Sequence, residues 1–592
     1  MTDEQPLNED ANLDSEMNVS ELSKVPKKIK IGQSHWIRFK AWYKTDKKKS
    51  APLTILALIL LLVAIPWTRY YLVGLALKKD FYVQVTDSKT GSPVSGATVS
   101  IGSISAETDG TGKARLRAVN VGQHTLSIVK KYYQNRSLSS VIPILSQRNT
   151  PEIRLVATGR QVKIHIVNLI NQKVLADASI KLADISAKTD AGGNAIVVLP
   201  AGTSSKQASL SLEGYNDAKV IVTVSDKEIK KNNYTLTPTG KLYFLSKLSG
   251  TIDVVKTNLD GSNRQTLYAG TGKEEDSGTV LLASRDWKYL ALLSRHDSDQ
   301  PQLYLIETAS DKVSVIDQGN STFSLVGWSN DSFVYRVTRN SYSDWQPKKY
   351  VLKSFNADSK RLNILDQTDG VGDAGQYAQE QLGNVYVTSD GTIVYYKTWY
   401  KSYSVSPPNN LTDGKHNGIY SIRADGSGKK TLKNLDASGT GSYNNYIDDQ
   451  TGKPDEVYFS ASDSSGTASY LEYKNGSLQS ISADQYPTSG IYNTYLLSPS
   501  GNKTFWSEER DGKNTMFIGA GDGTGGKTIA ALSDYQTYGW YSDNYLLTSK
   551  NSSELYILPV GGLAGGQQPI KITDYHKPAQ NYYGYGGGYG GI

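Results

Sequence analysis

The sequence predicts an all-β chain: a single N-terminal transmembrane helix, two tandem β-sandwich domains, then a seven-bladed β-propeller. Three observations predict it. One apolar, uncharged run stands at Ala51–Thr68, a motif is duplicated at an offset of 81 residues (Ile104 and Ile185), and seven hairpin signals follow Lys241. A chain of 592 residues has room for several such units.

The membrane element comes first. APLTILALILLLVAIPWT (Ala51–Thr68) carries no charge. At about 1.5 Å per residue it nearly spans a ~30 Å hydrocarbon core. Trp67, Tyr70 and Tyr71 follow as an interfacial aromatic belt, and the apolar pattern runs to Leu77. Lys40, Lys44, Lys47, Lys48 and Lys49 precede it, whereas only Arg69, Lys78 and Lys79 follow closely. The positive-inside rule therefore puts residues 1–50 in the cytoplasm and the rest outside a plasma membrane. The fifty residues before the run argue against a cleaved signal peptide. Residues 1–21 carry seven acids and no bases, the mark of a solvated, largely disordered tail. The ten Lys and Arg of residues 22–50 are explained by the membrane, so no nucleic-acid partner is expected.

Composition supports strands and turns. Gly (54) and Tyr (40) are abundant and Phe (9) is not. The chain has no cysteine, which excludes disulfides and Cys-ligated zinc and, for a long exported chain, points to a bacterial cell surface. The six histidines (His35, His124, His165, His296, His416, His576) show no ligand spacing, so no metal or cofactor is expected.

The sandwiches follow at 80–159 and 160–240. ISAETDGTGKA from Ile104 and ISAKTDAGGNA from Ile185 share their offset with LVATG (Leu155–Gly159) and LTPTG (Leu236–Gly240), so one unit is duplicated. FYVQV (Phe81–Val85) and VKIHIV (Val162–Val167) alternate as half-buried strands do. TGSPVSGATVSI, TDGTGKARL and VGQHTLSIVKKYY resemble the carboxypeptidase regulatory-like domain. VLPAG and LSLEGY make the second copy similar to that family or to the PEGA domain. The resemblance implies a spacer or adhesive module without catalytic residues.

The propeller is read over 241–577, with a Gly/Tyr-rich tail at 578–592. Hairpin turns fall at Asp260, Ser310, Asp358, Asp425, Asn475, Asp522 and near Gly562. Asp-Gly and Asn-Gly favour tight hairpins because both central residues take positive φ. Four short strands every ~40–50 residues is a propeller spacing. The first unit opens directly on KLYFLS (Lys241–Ser246) and lacks one strand, which a segment near Asn581–Tyr585 could supply. The turns SPSGN (Ser498–Asn502) and TSDG (Thr388–Gly391), each before an apolar strand, resemble TolB-like propeller repeats.

No catalytic motif emerges. GDGTGGKT (Gly521–Thr528) fits the phosphate-loop pattern but falls on a hairpin turn, where neither the helix nor the nucleotide it needs is expected. There is no G-x-S-x-G elbow. Asp448, Asp449, Asp455 and Glu456 fit no calcium loop and read as a solvated turn. Loop length gives the candidate site instead. Asn340–Lys348, Gln367–Gly383 and Ser402–Asn417 are long and should meet on one rim, bringing Tyr342, Trp345, Trp399, Tyr400 and Tyr403 together. Exposed aromatics there would anchor a protein, peptide or cell-wall glycan, with self-packing of the loops as the competing reading. The expected function is a membrane-anchored binding protein and not an enzyme. A propeller enzyme acting on wall polysaccharide and a single-pass sensor are the alternatives.

Overall fold

A computed structural model describes residues 33–45, 47–64, 77–144, 149–200, 203–224, 230–343, 346–373, 376–401, 417–435, 447–462, 467–487, 495–551 and 553–574. Among the described residues every regular element beyond two N-terminal helices, Gln33–Thr45 and Lys47–Ala64, is a strand. No described helix is long and apolar enough to cross a membrane. Lys47–Ala64 spends its first three positions on lysine, and residues 65–76 of the expected span lie outside the described residues.

The duplication is visible strand by strand. Lys78–Asp87 corresponds to Arg160–Asn168, Thr98–Ile101 to Ser179–Leu182, and Ile104–Glu107 to Ile185–Lys188. Each copy packs a three-stranded sheet on a four-stranded one in the same order, and each three-stranded sheet ends on a parallel strand, Glu152–Leu155 or Lys230–Leu236. The alternation seen in sequence fills the cores: Phe81, Val83 and Val85 in the first, Val162, Ile164 and Ile166 in the second. The copies also lock together. Val198 of the second lies in the first core, Gln161 Nε2 donates to Asp87 Oδ2 (2.6 Å), and the Lys188 amide donates to Ser95 Oγ (2.6 Å).

Among the described residues seven consecutive sheets follow, from Leu242 to Asp574. The first has three strands, the fourth five and the others four. Apolar residues cover both faces of these sheets, so adjacent blades share clusters: second with third, third with fourth, fourth with fifth, sixth with seventh. The ring closes through one cluster that joins the first blade (Leu242, Phe244), the second (Leu281, Leu290) and the seventh (Leu547, Ile557). Closure buries the apolar faces of the first and last blades, which would otherwise be exposed.

Tryptophans tie blades to one another, and one of them bridges the short first blade. Trp328 Nε1 donates to Leu282 O of the preceding blade (3.2 Å), and Trp540 Nε1 to Leu496 O (2.7 Å). Trp287, in the first turn of blade two, reaches Trp540 O of blade seven (3.0 Å) past the three-stranded blade. The segment near Asn581–Tyr585 lies outside the described residues.

The second sandwich docks on the turns of blades one and seven. Ile170 is fully buried in the ring-closing cluster. Asn168 Nδ2 donates to Tyr545 Oη (3.0 Å), Gln567 Nε2 to Ile170 O (2.9 Å), and Thr237 Oγ1 to Asp260 Oδ2 (2.7 Å). Asp260 and Gln567 lie in outer hairpin turns and Tyr545 opens the second strand of blade seven, all at the end of the blades opposite their second-to-third-strand connections.

Candidate functional site

The loop-rich face is most elaborate on blade four. There the expected loop Gln367–Gly383 is corrected: Gly370–Asp373 pairs with the start of Gln376–Val387, adding a fifth strand. QYAQEQLGN lacks apolar alternation, which is why it reads as loop in sequence. Gln376–Val387 in turn pairs with Thr392–Lys401 out to Ala378↔Lys401, so a β-finger projects beyond the blade.

Buried charges brace the base of this finger. Glu380, 2% exposed, accepts from the Asp369 amide (2.9 Å), and its own amide bonds Asp369 O (3.0 Å). Lys397 lies 3.1 Å from Glu380 Oε1 and 3.5 Å from Asp366 Oδ2, and Lys429 lies 2.9 Å from Asp366. Tyr395 Oη donates to Asp366 Oδ2 (2.6 Å). Burial acts to raise the Asp366 carboxyl, but the charge of Lys397 and the bonds from Tyr395 and Lys429 hold it below the usual carboxylate value. The preceding interface repeats the device: Tyr335 Oη (2.8 Å) and Lys353 Nζ (2.7 Å) both donate to Asp317. Losing one partner of such a set leaves a buried charge unpaired, which costs about 3–5 kcal/mol.

Beside the finger, the innermost strand of blade five brings in Asp449, 7% exposed. Asn384 Nδ2 donates to both of its oxygens (3.2 Å each) and Tyr396 Oη to Oδ1 (3.0 Å). Arg336 of blade three donates to Gly383 O (2.7 Å) next to Asn384. Three blades therefore converge on one carboxyl. Burial pushes it up to about 6, against the Asn384 hydrogen bond and the Arg336 charge. The expected solvated acidic turn is corrected accordingly. Asp455 bonds Ser389 of blade four, Glu456 pairs with Lys474, and only Asp448 of the four is exposed.

A pH dependence follows. The folded value of Asp449 exceeds its unfolded value, so its contribution favours folding below about pH 4 and is lost as pH rises through 6. Asp449→Asn is expected to remove this loss, flattening stability between pH 4 and 7 and stabilising the chain at pH 8 by roughly 2–3 kcal/mol. Denaturant melts at the three pH values check it. An unchanged pH profile would show that Asp449 ionises freely.

The predicted rim residues are only partly brought together. Tyr342 is half-buried, accepts a hydrogen bond from Arg339 Nη1 (3.0 Å) and lies under that guanidinium at 5.0 Å, so it packs its own loop. Trp399 and Tyr400 sit on the finger strand opposite Glu380 and Gln379, with their side chains outside the described residues. Trp345 and Tyr403 lie outside them altogether. GDGTGGKT forms the hairpin between Lys513–Ala520 and Lys527–Ala531, with a strand where a phosphate loop needs a helix. No group of three metal-binding side chains occurs among the described residues. Sequence reading missed Glu380 and Lys397 and took Asp449 for a solvated residue; for Lys397 the lone charge inside the apolar strand TIVYYK was the available signal.

No protein-family model matches the chain, and no curated protein matches it. The likeness to carboxypeptidase regulatory-like and PEGA domains is thus not shown. Solved structures that the chain resembles include TolB from Acinetobacter baumannii (11% identity, TM-score 0.24, 54% of this chain and 74% of that one). Others are the oligogalacturonate lyase of Vibrio parahaemolyticus (9%, 0.31, 58% and 88%) and the β-propeller domain of the Trilobed protease of Pyrococcus furiosus (12%, 0.31, 57% and 93%).

Proposed function

We propose that the chain is a binding protein whose propeller presents the β-finger of blade four to a protein, peptide or cell-wall glycan. The observation that carries this reading is the finger itself: paired strands that outrun their blade, braced at the base by Glu380, Lys397 and Asp366. A braced projection loses little entropy on binding, which favours recognition. In this reading the run at 51–77 crosses the plasma membrane, residues 1–50 are cytoplasmic and everything after is extracellular. The sandwiches form the stalk. Uncharged Ala51–Thr68 and the lysines before it support that orientation.

A photo-crosslinking residue at Tyr400 is expected to trap a partner in cells, and one at Asp358, on the opposite turns, is not. Equal adducts at both positions, or none at Tyr400, would refute the finger as the binding element. One observation favours a second reading, a propeller enzyme acting on wall polysaccharide: a buried carboxyl, Asp449, is pushed up by burial to about 6 and lies against Tyr396 and Asn384. Wall-polymer cleavage by the purified chain, abolished in Asp449→Asn, would establish that reading instead.

A further inference from the structure

The charge of the chain is sharply divided along its length. Residues 78–159 carry 11 Lys and Arg against 5 Asp and Glu, whereas residues 241–592 carry 32 against 37. The domain that begins directly after the apolar run is basic, and the propeller is acidic.

Strand register gathers much of that basic charge on one sheet. Inward, Phe81, Val83, Val85, Ala114, Leu116 and Ile153 fill the core. The other face shows Tyr82, 41% exposed, opposite Arg115, with Lys113 opposite Gln84 and Arg154 opposite Thr86. Its two acids are already engaged. Asp80 accepts from Arg115 Nε (2.9 Å), and Glu152 accepts from Thr86 Oγ1 (2.8 Å) and lies 3.5 Å from Arg154. Lys78, Lys113 and Arg117 form no ion pair among the described residues, and all three are exposed. Exposed lysines and arginines around an exposed tyrosine are what an anionic headgroup layer attracts.

We propose that this outward sheet face lies along anionic phospholipid headgroups, pinning the first sandwich flat on the membrane. The inference rests on the reading that 51–77 spans the bilayer. Orientation separates it from simple tethering. Lys78 and Gln84 are six residues apart, about 20 Å along a strand. An upright sheet would hold Lys113 well beyond the ~8 Å screening length of physiological salt, and a flat one keeps it in contact.

The chain has no cysteine, so a fluorophore on Gln84→Cys is unique. The full chain is mixed with vesicles of phosphatidylcholine alone or with phosphatidylglycerol, each carrying a headgroup quencher. Quenching is expected only with phosphatidylglycerol, is expected to vanish in 1 M salt, and in Lys113→Glu/Arg117→Glu to need at least about tenfold more anionic lipid. Both substitutions are exposed, and an unchanged melting temperature verifies the fold. Equal quenching in both lipids, no quenching in either, or indifference to the double substitution overturns the proposal. Flotation with phosphatidylcholine vesicles in 1 M salt reports insertion of 51–77 separately. A chain that fails to float yet is quenched only by anionic lipid keeps the docking face and loses the span.

Discussion

Gly261→Ala is expected to destabilise the propeller by roughly 3–5 kcal/mol, lowering its melting temperature on the order of 5–10 °C. Gly261 forms the outer hairpin of blade one at φ +77°, where an L-residue pays about 1 kcal/mol or more. The larger cost is steric. A Cβ there would lie 1.9 Å from Ile572 O of blade seven, a backbone atom that moves only if the blades part. The substitution therefore strikes ring closure, beside the bond from Arg264 Nη1 to Thr573 Oγ1 (2.8 Å). Gly476→Ala is the control: φ is +79° but nothing lies within 4 Å, so only the conformational cost of about 1 kcal/mol applies. Calorimetry of the two variants checks the difference. Equal shifts would mean that blades one and seven do not meet as described.

That contrast also marks what the sequence can reveal. The Asn475-Gly476 turn is legible because local φ requirements select its residues, and both take positive φ (49° and 79°). The same holds for alternating strands such as Phe81–Val85, whose burial follows from period two. Contacts between blades are not local, and nothing in Asp260-Gly261 announces Ile572. The site divides the same way. Blade four was legible as the unit with the longest connections, yet its finger was not, because Gln376–Gly383 owes its strand pairing to Thr398–Lys401 rather than to apolar alternation. Asp449 was hidden for a related reason. Adjacent Asp448 and Asp449 look alike in sequence, but a strand turns one to solvent and the other toward Asn384 and Tyr396.

Aiming the finger away from the stalk requires the second sandwich and the propeller to move as one body. Ile170 is its apolar anchor. Burying an isoleucine is worth about 1.5–3 kcal/mol, and an aspartate in its place would carry an unpaired charge into an apolar cluster. Ile170→Asp should thus undock the domains while leaving both cores intact. Two spin labels on Lys181→Cys and Lys312→Cys, both exposed and the only thiols in the chain, read this out as an inter-label distance distribution. The native chain should give one narrow distance and Ile170→Asp a broad one; a broad distribution in the native chain would contradict the rigid mount.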